Sequence, residues 1–180
     1  MAGQTLPPLK GMWAIKVTIT PGTKEAQHIE SVIGKTIEQL GPGLDSLQIL
    51  AQPVIGEWQG PQKVLYDKRH WRLSPEAEYK LLVDDTKDGP VILYFHGGAY
   101  IVGAPDTARL VTLRLAKECY GRVFSVGYRL APQHQFPAAL IDAMVAYRYL
   151  INPPADALHQ AVDPSKIILA GDSAGVRQIS

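Results

Sequence analysis

The 180-residue chain has a single cysteine, Cys119, so an intrachain disulfide is excluded and a reducing compartment is the natural expectation. It has almost no net charge: 18 basic residues stand against 17 acidic ones, and the basic side chains are scattered. That balance removes the electrostatic argument for nucleic acid or an anionic membrane as partner. Nothing approaches the roughly 20 consecutive apolar residues that a membrane span needs. The stretch Met12-Trp13-Ala14-Ile15 is short and is interrupted by Lys16, so it does not read as a signal peptide. A cytoplasmic protein is expected. Internal repeats and low-complexity tracts are also missing.

What is present is a globular composition, 46% hydrophobic, enough to bury a real core. Ile29, Val32, Ile33, Ile37 and Leu40 recur at spacings of three and four, which predicts a helix over Thr23–Leu40 stopped by Gly41. A Gly/Pro-rich stretch follows, and residues 1–60 read as a helical, cap-like segment ahead of a core at 61–180. Within that core, Val64–Leu73 and Glu78–Val83 are expected to be strands. Val91-Ile92-Leu93-Tyr94-Phe95 is a continuous apolar run suited to a central strand. Helices are expected over Asp106–Tyr120 and Ala138–Leu150, and strands over Arg122–Tyr128 and Lys166–Ala170. Strands alternating with helices argue for a mostly parallel α/β sheet.

Three segments carry chemistry. Gly171-Asp172-Ser173-Ala174-Gly175 is a G-x-S-x-G sequence. In a nucleophile elbow this pattern lifts a serine hydroxyl on a sharp strand-to-helix turn. Alone it is weak, since roughly 0.06 chance matches are expected at ordinary Gly and Ser frequencies. The apolar strand leading into it supplies the context the motif requires. His96-Gly97-Gly98-Ala99-Tyr100 follows the Val91–Phe95 strand and suits a loop whose backbone N–H groups receive a developing oxyanion. An ordinary Gly-rich turn is the alternative reading of each. Tyr128–Ala139 reads as a strand end, a Pro-bounded loop and a helix start, and implies no reaction by itself.

Taken in order, His96–Tyr100, Tyr128–Ala139 and Gly171–Gly175 resemble the hormone-sensitive-lipase-like (α/β-hydrolase fold-3) serine esterases. The resemblance covers about Val91 to Gly175. It implies a partial α/β-hydrolase fold and carboxylic-ester hydrolysis, with Ser173 as nucleophile and the N–H groups of Gly97, Gly98 and Ala174 as oxyanion donors. His96 and Asp172 are implied to be supporting residues, as are Arg129 and His134, and the helix near Ile29–Leu40 to belong to a cap. No cofactor or metal is implied. The expected partner is a small ester or acyl substrate, with self-association through an exposed edge strand.

Two departures shape these expectations. Gly175 is followed by Val176-Arg177-Gln178-Ile179-Ser180 rather than by a further glycine and small residues. All five histidines (28, 70, 96, 134 and 159) precede Ser173, whereas the family carries its triad acid and histidine after the serine. A His134–Asp142 pair is the compositional alternative. The expectation is a truncated product lacking the C-terminal strands, with weak or no esterase activity. A non-catalytic binding module and an amidase or formamidase are the other readings.

Overall fold

The computed structural model describes residues 6–40, 47–64, 73–87 and 89–178. Its frame is a five-stranded mixed sheet, with β1 at Met12–Ile19, β2 at Val54–Pro61, β3 at Val91–Phe95, β4 at Arg122–Gly127 and β5 at Ile167–Gly171. The order across the sheet is β1-β2-β4-β3-β5. β1 and β2 run antiparallel, as do β2 and β4. β4, β3 and β5 are mutually parallel, joined by helical crossovers, so the α/β expectation holds.

All five side chains of β3 are buried, which explains its unbroken apolar sequence: it lies between β4 and β5 with helices on both faces. One face carries the larger core, built around Trp58, Leu93 and Phe124 with Ile141, Val145 and Leu150 from helix α4 (Ala138–Ile151). Helix α1 (Thr23–Leu40) joins the same core through Ile29, Ile33 and Ile37, which fall one turn apart on a single face. The other face packs Ile92, Tyr94 and Val123 against Ala108 and Ala116, the latter on helix α3 (Arg109–Glu118).

Two sequence expectations need correction. Residues 78–83 are helical, inside α2 (Pro75–Asp85). Ser74 caps that helix by accepting from the Ala77 N–H, Pro75 opens it, and Tyr79 and Leu82, three apart, make the buried stripe. The region before residue 60 is not purely helical, because it supplies β1 and β2. The Gly and Pro residues around these strands masked an alternation whose apolar members, Trp13 and Ile15, face the core. The strand expected over 64–73 falls mostly outside the described residues.

A buried polar network locks the second face. Arg109 donates from Nε and Nη2 to the two carboxylate oxygens of Glu57, at 2.8 and 2.6 Å, and both side chains are almost fully buried. Arg109 Nη1 also donates to the Leu6 carbonyl at 2.5 Å, which ties the N-terminal arm to the sheet. Gln59 bridges the network to the Pro105 carbonyl and to Thr112.

Candidate active site

The register of β3 and β5 assembles the site. Phe95 lies opposite Gly171, so the loop leaving β3 and the turn leaving β5 emerge side by side at the carboxyl end of the parallel strands. Such an end is where open α/β sheets place their ligands. The fit needs glycine. A Cβ at Gly175 would stand 2.0 Å from the Phe95 carbonyl oxygen, and one at Gly171 would stand 2.8 Å from it.

Ser173 opens a short 3₁₀ turn, Ser173–Gln178, with φ +49°, in the left-handed region. For a residue with a Cβ that conformation costs about 1–2 kcal/mol. It is held by the Gly175 N–H, which donates to the Asp172 carbonyl at 2.8 Å. The serine is solvent-exposed, and its Oγ has no hydrogen-bond partner among the described residues.

Asp172 is the hub joining the two segments. Its Oδ1 accepts from the Tyr94 hydroxyl at 2.7 Å and from the Gly97 N–H at 2.8 Å. Burial, followed by the bond to Asp172, pushes the Tyr94 hydroxyl well above the ordinary tyrosine range. The Gly97 N–H is therefore committed to a carboxylate in this structure, and the expectation that it joins Gly98 and Ala174 in receiving an oxyanion is revised. Gly97 also has no room for a side chain, since a Cβ would meet Asp172 Oδ2 at 2.2 Å. Sequence reasoning missed Tyr94; as one apolar member of a buried strand it carried no signal.

The loop beyond Gly97 is tightly wound. Gly98, Ala99 and Tyr100 have φ of +116°, +54° and +61°, and the Gly98 carbonyl accepts from the N–H groups of Ile101 and Val102. His96 works as a brace. Its buried ring stacks on Tyr128 at 4.3 Å, and its Nδ1 lies 2.6 Å from the Gly97 carbonyl, an acceptor, so this nitrogen carries the proton. The Tyr128 hydroxyl donates to the His96 carbonyl at 2.5 Å. Burial lowers the His96 pKa, favouring a neutral brace.

The His134–Asp142 alternative is not assembled. Asp142 is buried and accepts from the Arg129 N–H and guanidinium at 2.7–3.1 Å, and Arg129 in turn donates to the Leu50 and Ala138 carbonyls. His134 is exposed and lines a cavity of about 300 Å³ with Tyr100, Phe136 and Leu140. Arg177 and Gln178 close that cavity, placing it between the loop after β3 and the turn after β5. His28 sits exposed on α1, His159 lies at the other end of the sheet, and His70 is outside the described residues. Among the described residues, no group of three metal-ligating side chains occurs and no helix is long and apolar enough to cross a membrane.

The family profile described as alpha/beta hydrolase fold matches residues 92–177. The chain is 41% identical over 92 residues to an ethyl acetate hydrolase of Pseudomonas putida, covering 51% of this chain and 28% of that protein. It is 39% identical over 106 residues to arylacetamide deacetylase-like 3 of Mus musculus, covering 59% and 25% respectively. A hyperthermophilic esterase from the archaeon Pyrobaculum calidifontis superposes with a TM-score of 0.54 at 27% identity, covering 92% of this chain and 36% of that one. The chain thus spans only about a quarter of the length of these curated relatives.

Proposed function

We propose that this chain, a hormone-sensitive-lipase-like member of the α/β-hydrolase family, carries the nucleophile and oxyanion side of a carboxylic-ester hydrolase site. The observation that carries the reading is Ser173, held at positive φ at the end of β5 and coupled through Asp172 to the glycine loop at the end of β3. In the proposed reaction Ser173 Oγ attacks the ester carbonyl carbon, and the carbonyl oxygen takes up the negative charge. The N–H groups of Gly98 and Ala174 receive that charge, while Asp172 holds Gly97 and fixes the loop. A donor of this kind is worth about 2.7–4 kcal/mol in the transition state. The alcohol then leaves, and water releases the acid. The largely apolar cavity beside Tyr100 suits a small or medium acyl or alcohol group. Helix α1 is proposed to belong to the cap side, and the small-molecule ester is the proposed partner.

The serine also needs a base. His96 is braced on Gly97 and Tyr128, Asp142 is held by Arg129, and no described residue bonds to Ser173 Oγ. A serine with no base is a poor nucleophile. Hydrolysis of p-nitrophenyl butyrate by the 180-residue chain is therefore expected to stay near the Ser173→Ala background. Imidazole supplied in solution is expected to raise the Ser173-dependent part of the rate. Equal rates for the chain and Ser173→Ala at every imidazole concentration would refute the proposal. Running a butyramide in parallel decides between ester and amide: amide turnover matching the ester would shift the reading to an amidase.

A second reading, a non-catalytic module that self-associates, is favoured by β5 alone. It is an edge strand among the described residues, and Ile168 and Leu169 are 45% and 46% exposed. Concentration-dependent dimerisation in size-exclusion chromatography, abolished by Leu169→Lys, is expected on that reading; a monomer at all concentrations removes it.

A further inference from the structure

The N-terminal arm lies against the loop that leaves β3. Residues 6–9 read Leu-Pro-Pro-Leu, and the two prolines lack an N–H and hold φ at about −65°, so the arm is a stiff extended piece. It joins β1 through a turn at Gly11, whose φ is +75°, closed by the Met12 N–H on the Leu9 carbonyl at 3.2 Å. The Leu6 side chain is 51% exposed, so apolar burial does little to hold the arm. Its backbone is held instead. The Leu6 N–H donates to Asp106 Oδ2 at 2.9 Å, and the Leu6 carbonyl accepts from Arg109 Nη1 at 2.5 Å. Each bond has one ionised partner, which makes it about twice as strong as a neutral one. Arg109 is fixed in turn by Glu57 and serves as a rigid post.

Asp106 belongs to a turn at residues 103–107, which completes the loop begun at His96. Thr107 folds that turn: its hydroxyl donates to the Ala104 carbonyl at 2.7 Å and accepts from the Ala104 N–H at 3.0 Å. Gly103 opens it with φ +109° and lies against the brace of the glycine loop. A Cβ there would stand 2.4 Å from His96 Nδ1 and 2.8 Å from the Gly97 carbonyl oxygen, so a shift of this turn reaches both residues directly. On its inner side the turn is fixed by Pro105, whose carbonyl accepts from Gln59 Nε2 at 3.0 Å. Beside it is a cavity of about 540 Å³, lined by Asp106 and Thr107 together with Lys16 of β1, Ile55 of β2 and Leu6. The turn therefore meets open space towards β1 and β2, and the Leu6 clasp holds it where side-chain packing would do so elsewhere.

We propose that the arm is a strap that orders the glycine loop. With Leu6 clasped, the 103–107 turn keeps Gly103 on His96 and holds residues 98–102 in one conformation. With Leu6 released, the turn moves into the cavity and the loop loosens. Leu6 and Asp106 are thus positioning residues that act through His96 and Gly97. Any consequence for catalysis rests on the proposed oxyanion role of Gly98; the strap itself does not.

The test uses the full 180-residue chain and amide hydrogen exchange read by NMR. Leu6→Pro removes the N–H at an exposed position, and Asp106→Ala removes its acceptor. Each is expected to speed exchange about tenfold at the Ile101 and Val102 amides, which donate to the Gly98 carbonyl, and to broaden the His96 Nδ1 proton signal. Exchange in β3 and α4 and the urea midpoint are expected to stay at the parent values. The double variant should match the singles, since both cut the same bond. Leu6→Ala keeps the backbone clasp and should leave the loop unchanged. Unaltered protection at Ile101 and Val102 in Leu6→Pro and Asp106→Ala would overturn the proposal. So would faster exchange spread equally through β3, or a Leu6→Ala loop as loose as that of Leu6→Pro.

Discussion

Replacing Asp172 by alanine removes a carboxylate that bonds both halves of the proposed site. The Tyr94 hydroxyl, on a residue 1% exposed, loses its acceptor, and so does the Gly97 N–H. A buried hydroxyl left without a partner costs about 1–3 kcal/mol. Gly97 is at the surface, where water replaces the lost bond at small cost. The expected loss is about 2 kcal/mol, or roughly 4–8 °C in melting temperature for a domain of this size. Tyr94→Phe removes the hydroxyl together with its need for a partner, and its carboxylate partner is free to meet water. It is expected to cost less, about 1 kcal/mol. Asp172→Asn keeps an acceptor oxygen and should fall between the two. Since the two side chains share one bond, the double variant should be less destabilised than the sum, with a coupling of about 1 kcal/mol. Urea unfolding followed by circular dichroism measures the parent and the four variants. An Asp172→Ala variant within about 0.5 kcal/mol of the parent, or strictly additive behaviour, would refute the clamp.

Other consequences are equally direct. Gly175→Ala forces a methyl group into the Phe95 carbonyl, backbone against backbone, and is expected to cost about 3 kcal/mol and to detach the turn after β5, visible as lost hydrogen-exchange protection at Asp172 and Gly175. Arg109→Ala leaves Glu57 buried and uncompensated; the expected loss is about 3–5 kcal/mol by denaturant titration, while Ala at the exposed Arg114 should be near neutral. His159 is held neutral with its pKa lowered to about 4, so between that value and the unfolded value near 6.5 the unfolded chain binds the extra proton. Stability is then full above about pH 6.5 and falls as the pH drops towards 4, by on the order of 3 kcal/mol. His159→Phe should flatten that slope, and an unchanged slope would contradict the assignment.

The sequence made the parallel half of the sheet legible because its signals are local. Val91–Phe95 and Ile167–Leu169 are unbroken apolar runs, and the glycines at 97, 98, 171 and 175 mark the turns that follow them. The antiparallel half was not legible. β1 and β2 pair across α1 and an intervening Gly/Pro-rich segment, and their register, Ile15 opposite Trp58, is a long-range fact that no local pattern encodes. Residues 78–83 misled for a different reason. Alternation of Tyr79, Leu81 and Val83 suits a strand, while the deciding feature, the Ser74-Pro75 cap, lies four residues upstream. The positions of the serine and the glycine loop could be read from their motifs. The link between them could not, because Tyr94 is hidden in a hydrophobic run and Asp172 occupies the variable position of its motif. The commitment of the Gly97 N–H to that carboxylate required coordinates.

The central claim is that Ser173 stands as the nucleophile of an acyl-transfer site. The most direct test is to incubate the chain with p-nitrophenyl butyrate and imidazole, quench, and locate the acyl group by peptide mass spectrometry. The account predicts a butyryl group on the peptide containing Ser173, absent in Ser173→Ala and diminished in Asp172→Ala. Butyrylation confined to lysines, with Ser173 unmodified at every imidazole concentration, would contradict it.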